Sequence, residues 1–343
     1  MDPRFCFLGA SVHRASSYAG FLIRHFREDD IPSVVRLLAA VELIDRDGEE
    51  TTEKDLHAQL GWANHDPFLD RWVVKSPHDG GITIGYALVW AKTQHYAGVF
   101  VATHPSYRRR GLGTELAGRA LDRAAALGAG NAGAYASTMN AAASAFLYTL
   151  GFRAVSSYWD LLVPSEMSIP DPTWPDGYTV RTFEEVGEEV GANVLLVRVL
   201  NHSYQDLWGH GLWMEDAADG LLSDLSSHRI FMVFAPDGKP AAICRFASRG
   251  SEKSAGHIDA PGVAPEHRAA GLHVPLLLTA LQTLRQDRAV PVRLESWGDD
   301  PAVVTAYRDL GLSTLRHAIA FGIQLPRNTL AFGIQVEQRR GPR

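Results

Sequence analysis

The residues of this chain best placed to do chemistry lie in THPSYRRRGLGTEL, residues 103–116, where three arginines run into two glycines one residue apart. An apolar, strand-like run precedes the segment and a helical pattern follows it. Backbone N–H groups at a helix start, with the positive end of the helix dipole, hold anions such as phosphate, and glycine lets a ligand come close to the backbone. The segment is therefore an expected anion cradle, with Arg108, Arg109 and Arg110 as added cations. A second copy, VAPEHRAAGLHVPL, begins at Val263. Gly111 and Gly271 are 160 residues apart, as are Gly151 and Gly311, so the chain reads as one fold written twice. There is no P-loop sequence, and Leu116 stands where a dinucleotide fingerprint needs a third small residue, which disfavours ATP and NAD sites. The same residues also fit an exposed basic cluster beside a turn that only tightens strand-to-helix packing.

Elements able to position these turns flank both copies. FLIRHFREDD and IPSVVRLLAAVELI read as a strand and a helix with Pro32 in its first turn, and YTVRTFEEV and GANVLLVRVL repeat them. RWVVKS and ITIGYALVW around PHDGG, and RIFMVFA and PAAICRFAS around PDGK, predict hairpins. A third strand, AGVFVAT or GHIDAPGV, leads into each glycine turn and its helix. Each half closes on a helix with a Leu-Gly ending and a further strand. The four prolines of residues 164–177 predict a semi-rigid spacer. The expected division is an extension at 1–20, domains at 21–163 and 178–326, a linker at 164–177, and a tail at 327–343 that repeats AFGIQ, as an extra strand or disordered.

At 343 residues and 46% hydrophobic, the chain can fill two cores of about 150 residues each. A net charge of -6 argues against nucleic acid, whose binders carry a basic excess, and points to small-molecule partners. Cys6 and Cys244 form no CxxC pair, so neither a disulfide framework nor a zinc site is expected, and a reducing cytoplasm fits. FCFLGA is too short for a signal-peptide core, and no apolar run reaches the roughly 18 residues of a membrane span. A soluble, cytoplasmic monomer or homodimer is expected, with no membrane partner and no metal.

Arg108, Gly111 and Gly113, with Pro105 before them and Leu150, Gly151 and Phe152 after, resemble the signature of the GNAT superfamily of acetyl-CoA-dependent N-acetyltransferases. The repeated order resembles its tandem, two-lobe group of the mycothiol synthase type, which also has members in actinomycete antibiotic clusters such as that for clavulanic acid. The resemblance implies a mixed α/β fold, a mostly antiparallel sheet flanked by helices, in two tandem acyl-CoA N-acyltransferase domains. It implies acetyl-CoA or another acyl-CoA as cofactor and a small-molecule amine as acceptor. Val101, Ala102 and Thr103 would line the pantetheine, and Arg108, Arg109, Arg110, Gly111, Leu112, Gly113 and Thr114 would wrap the pyrophosphate, with Asn140 at the family's usual asparagine position. Val263, Arg268 and Gly271 are their remnants in the second half.

Amine acetylation needs a base for the ammonium and an acid for the departing thiolate. By the same resemblance the acid is Tyr307, four residues before Gly311; in the first half that place is Leu147, and Tyr148 is turned by about 100°. The base is His257, eight before Pro265, with Asp259 on the same strand face as base or as orienter of the imidazole; the first half has Ala97. His273 replaces Gly113 and Pro275 replaces Glu115 in the second turn, which predicts weaker cofactor binding there. The first half is thus expected to hold acetyl-CoA tightly and the second to carry transfer. His257 and Tyr307 equally fit half-buried packing roles, and the alternatives are an acyl-CoA-binding protein without turnover or an active first half. Residues 201–216, with His202, Tyr204, Asp206, Trp208, His210 and Trp213, are an expected acceptor wall or packing surface.

Overall fold

The structure is a computed structural model that describes residues 16–18, 20–48, 50–62, 64–93, 96–187, 191–207, 229–249 and 255–326. Cys6, Trp208, His210, Trp213 and the second AFGIQ lie outside the described residues. The chain divides into two compact units, residues 1–44, 50–134 and 322–343 forming unit 1 and residues 45–49 and 135–321 forming unit 2.

Unit 1 contains β1 (Ser16–Tyr18), β2 (Phe21–His25), α1 (Ile31–Asp45), α2 (Glu53–Leu60), β3 (Arg71–Lys75), β4 (Thr83–Thr93), β5 (Tyr96–Thr103), α3 (Leu112–Ala126) and the start of β6 (Asn131–Ser137). The strand order is β1-β2-β3-β4-β5-β6, antiparallel except for the parallel pair β5–β6. Strand alternation sends Val73 to the cluster holding Val34, Leu37 and Leu56 of α1 and α2, and Val74 to the opposite cluster. There Leu112, Leu116, Ala120 and Ala124, spaced by four, form the buried stripe of α3. Each fully buried leucine contributes roughly 1.5–3 kcal/mol, so this stripe fixes where α3, and the turn before it, sits on β4 and β5.

Unit 2 contains α4 (Ala141–Thr149), β7 (Arg153–Val163), β8 (Thr179–Thr182), α5 (Phe183–Gly187), α6 (Ala192–Tyr204), β9 (Arg229–Phe234), β10 (Pro240–Arg249), β11 (Ala255–Asp259), β12 (Gly262–Val263), α7 (His273–Gln286), β13 (Val292–Trp297), α8 (Pro301–Asp309) and most of β14 (Ser313–Gln324). Its strand order is β14-β7-β13-β11-β10-β9-β8, with β12 on β10 and a parallel pair β11–β13. α6 packs Leu196, Val197 and Leu200 on Ile230, Met232 and Ile243. On the other face α7 and α8 cover Phe246, Ile258 and Leu294. The mixed, mostly antiparallel sheet flanked by helices is the fold class expected from the sequence.

Three features differ from the sequence reading. β6 and β13 were not anticipated: NAGAYAS is too rich in Ala and Gly to signal a strand, and VRLESW is short and broken by charge. The proline-rich segment is not a free spacer, since Met167 is buried with the α7 core, Ile169 and Trp174 pack against it, and Gln282 Nε2 donates to the Pro170 carbonyl at 3.3 Å. The chain also crosses between units inside strands. It leaves unit 1 within β6 and returns within β14, so that Ile323 and Leu325 join the α3 core and the Leu325 N–H donates to Gly130 at 2.9 Å. Among the described residues no helix is long and apolar enough to cross a membrane.

Candidate functional site

In unit 1 the His104 N–H donates to the Ile84 carbonyl at 2.8 Å, which sets the phase of the antiparallel β4–β5 ladder. Phe100 and Ala102 turn their peptide groups toward β4, and Val99, Val101 and Thr103 turn theirs to the other edge. The β5–β6 ladder covers only Tyr96 to Gly98, so β5 runs on for five residues with that edge unladdered. Of the three residues expected along the pantetheine, Val101 and Thr103 present backbone to the edge, while Ala102 is buried and engaged with β4. Next comes the turn. A 3-10 segment, Pro105–Tyr107, is followed by Arg109 and Gly111 at φ +62° and +80°, two left-handed residues that curl successive amides into a concavity. Arg108 Nε–H donates to the Thr103 carbonyl at 3.2 Å, and the Arg110 guanidinium lies 4.9 Å from the Tyr107 ring centre. The Glu115 N–H closes the first turn of α3 on Gly111 at 3.0 Å, so Leu112, Gly113 and Thr114 carry the N–H groups that a helix start leaves without intrahelical partners.

The copy in unit 2 keeps one contact and changes the rest. Arg268 Nε–H donates to the Val263 carbonyl at 3.2 Å, the distance found for Arg108. Its other two nitrogens are held by Asp206 at 2.7 and 2.5 Å, which lowers the Asp206 carboxyl below its ordinary range. The 3-10 segment here spans Pro265–Ala270, and Gly271 is its left-handed cap at φ +73°. Pro275 holds the place of Glu115 but has no N–H, so the first closing bond is Leu276 to Leu272 at 3.2 Å and α7 starts one residue later than α3. With Leu272 as the N-cap, the open positions of α7 are His273, Val274 and Pro275, so the proline leaves this helix start one outward-facing donor short, as the sequence reading expects. Half-buried His273 is kept neutral, burial and the Arg268 charge pushing its pKa down to about 4. Tyr204 lays its ring over Gly262, where a Cβ would come within 2.5 Å of it, and donates to the Ala260 carbonyl at 2.8 Å. A one-residue shift between the β10–β11 and β10–β12 registers, at Ala260 and Pro261, ends the β11–β13 ladder.

His257 and Asp259 share one face of β11, as expected. His257 is buried and its Nε2 lies 3.1 Å from Asp259 Oδ1; Asp259 is paired with Arg245 of β10 at 2.9 Å. Parallel register brings Glu295 of β13 opposite Asp259 and 3.7 Å from His257 Nδ1. Tyr307 is wholly buried on α8, and its hydroxyl has no hydrogen-bond partner among the described residues. Burial first, then the charges of Asp299 and Cys244, push its phenol well above the ordinary range, so it holds its proton firmly. Asp299 accepts from Ser296 at 2.6 Å and, being buried, is pushed up to about 6. In the first repeat the corresponding helix is α4, whose Leu147 is buried while Tyr148 is half exposed, edge-on to Phe321. Asn140, expected at the cofactor, caps α4 by accepting from the Ala143 N–H at 3.0 Å. Of the expected acceptor wall, His202 pairs with Glu266 and Asp206 with Arg268. Glu295, Arg245 and Asp299 were not picked out by the sequence reading; a glutamate inside an otherwise alternating strand was the available signal for Glu295.

The sequence profile of the Acetyltransferase (GNAT) family matches residues 37–152. The chain is 31% identical to a mycothiol acetyltransferase of Salinispora arenicola, over 68% of this chain and 75% of the relative. It is 27% identical to that of Rhodococcus erythropolis, over 71% and 82%. Among solved structures it is similar to a GCN5-related N-acetyltransferase from Sphaerobacter thermophilus, with TM-score 0.68, 20% identity, and 90% and 97% of the two chains covered. It is also similar to a tandem GNAT protein from the clavulanic acid biosynthesis pathway, with TM-score 0.61, 16% identity, and 89% and 99% covered. The donor set of unit 1 suits an acyl-CoA: unladdered peptide groups for a pantetheine arm, and helix-start amides beside Arg109 and Arg110 for a pyrophosphate.

Proposed function

This chain belongs to the GNAT acetyltransferase family, and from that premise we propose that the first repeat holds an acyl-CoA tightly while the second repeat transfers an acyl group to a small-molecule amine. The observations carrying this division are the buried, unbonded hydroxyl of Tyr307 on α8 and the His257–Asp259 pair on β11, against Leu147 and Ala97 at the matching places of the first repeat. A buried hydroxyl without a partner costs roughly 1–3 kcal/mol, and a role in proton transfer accounts for its retention. Mycothiol acetyltransferase relatives and the clavulanic acid pathway neighbour support a small-molecule acceptor of actinomycete metabolism.

Acetyl-CoA, when bound, supplies an acyl carbon activated as a thioester. Asp259, an acceptor only, favours the His257 tautomer with its proton on Nε2, which leaves the Nδ1 lone pair to take a proton from the acceptor's ammonium. Arg245 holds Asp259 in place. As the new C–N bond forms and the C–S bond breaks, Tyr307 gives its proton to the departing sulfur. The nitrogen loses two protons in all: one restores Tyr307, and the other leaves His257 for solvent.

A second reading, an acyl-CoA-binding protein without turnover, is favoured by the Arg268–Asp206 pair, which occupies the one arginine left in the second turn. Copurifying CoA species, weighed by mass spectrometry, and transfer by two variants separate the readings. One acetyl-CoA per chain, lost in Gly113→Trp, with transfer lost in Tyr307→Phe, is the expected result. Transfer that survives both Tyr307→Phe and His257→Ala but stops in Gly113→Trp moves the chemistry to the first repeat.

A further inference from the structure

Four adjacent strands of unit 2 carry a row of charge. An ion pair joins Arg245 of β10 to Asp259 of β11, and register places Asp259 beside Glu295 of β13 and Glu295 beside Asp160 of β7. Asp259 is matched by Arg245 at 2.9 Å, and buried Asp160 by Arg293. The side chain of Glu295, flanked by those two carboxylates, makes no hydrogen bond among the described residues and keeps 30% of its surface exposed. Three carboxylates against two guanidinium groups leave one negative charge on the row.

The contact with His257 shows what completes it. In the tautomer that gives Nε2–H to Asp259, His257 presents a lone pair at Nδ1, and that atom lies 3.7 Å from Glu295 Oε1. Two acceptors face each other across a gap too wide for a direct hydrogen bond. His257 is nine-tenths buried, so the more exposed Glu295 is the side from which a donor reaches Nδ1. A group with at least two N–H bonds and a positive charge satisfies both acceptors and the charge deficit together. Exposed Trp297, two residues along the same strand face and 4.2 Å from Tyr158, adds an aromatic surface of the kind that favours a cation.

We propose that Glu295 is the acceptor-contacting residue that binds the substrate's ammonium against His257 Nδ1. It rests on the reading that the second repeat is the transferring one. The ammonium gives one proton to Nδ1, and Glu295, having paired with the ammonium, then faces the imidazolium that replaces it. The row carries the same net charge before and after the proton moves.

The ring nitrogens of His257, followed by NMR in the full chain at pH 7 with ethylammonium as probe and ethanol as its uncharged counterpart, test this. Wild type should show a saturable shift with ethylammonium alone, weakened at least tenfold in Glu295→Gln, with Glu295→Asp keeping part of it. No saturable shift in wild type, an equal response to ethanol, or an unchanged response in Glu295→Gln overturns the assignment; matching circular dichroism melts establish that the variant is folded. Acetylation of glucosamine from acetyl-CoA gives the kinetic counterpart: Glu295→Gln should raise the amine KM about tenfold, whereas Tyr307→Phe lowers kcat. If the ethylammonium result holds while Tyr307→Phe and His257→Ala leave transfer intact, the ammonium site stands and the lobe assignment fails.

Discussion

The two glycine turns share a register and an arginine anchored to a carbonyl at 3.2 Å, yet they are built for different occupants. The first places three arginines and two left-handed residues before a helix whose opening amides face out. The second has alanines for two of those arginines, ties the third to Asp206, and sets a neutral histidine at the helix start. The end of α6 straps this second turn, through Asp206 to Arg268, His202 to Glu266, and Tyr204 to Ala260. Duplication thus preserved the backbone anchor, while charge and amide presentation drifted apart. The acid-base groups drifted the other way, with His257 and Tyr307 against Ala97 and Leu147.

Removing the acid attacks this contrast hardest. Tyr307→Phe should slow transfer by about a hundredfold or more, in the range for a lost general acid. Because the hydroxyl is buried and unbonded, the same change should raise thermal stability by about 1 kcal/mol, a pairing that a mere packing role does not give. Next, Gly113→Trp should weaken acyl-CoA binding about a hundredfold, equivalent to about 2.7 kcal/mol by calorimetry, with the fold intact. An unchanged affinity would place the tight site in the second turn.

Asp299 gives a smaller, pH-dependent effect. Its folded-state pKa, raised to about 6 from 3.8 by burial, means that the folded chain binds the proton more tightly. Its stabilising contribution is full below about pH 4 and lost as pH rises through about 6. Asp299→Asn should be neutral near pH 4 and stabilising by about 2–3 kcal/mol at pH 8 in denaturant melts. His273 runs the opposite way, its depressed pKa withdrawing stability as pH falls from about 6.5 to about 4. The smallest change is expected from Asp206→Asn, which releases Arg268 and should strengthen CoA binding at the second turn by about three- to tenfold, detectable as a rise in stoichiometry. No gain would mean that His273 alone blocks it.

The fold was legible because its signals are local: Gly-Asp hairpin turns, the four-residue stripe of α3, and left-handed glycines at 111, 151, 271 and 311. Proline 275 and the donor it removes were visible as well, but the one-residue delay it imposes on the start of α7 was not. Glu295 was hidden for another reason. Its partner His257 lies on a strand brought beside it by a parallel register, and a parallel pair joins segments far apart in sequence. Asp206 and Arg268, 62 residues apart, were each noticed separately, and only the packing of α6 joined them.

The passage of β14 into unit 1 has a consequence for how the chain is made. Leu325 fills the same core as Leu112 and Leu116, and its N–H closes on Gly130, yet it is synthesised after every residue of unit 2. The earlier unit on the ribosome is therefore the later one to be finished. A nascent chain carries α3 and the turn before it with an unfilled apolar notch until β14 emerges, so neither repeat by itself supplies all the residues that its unit packs.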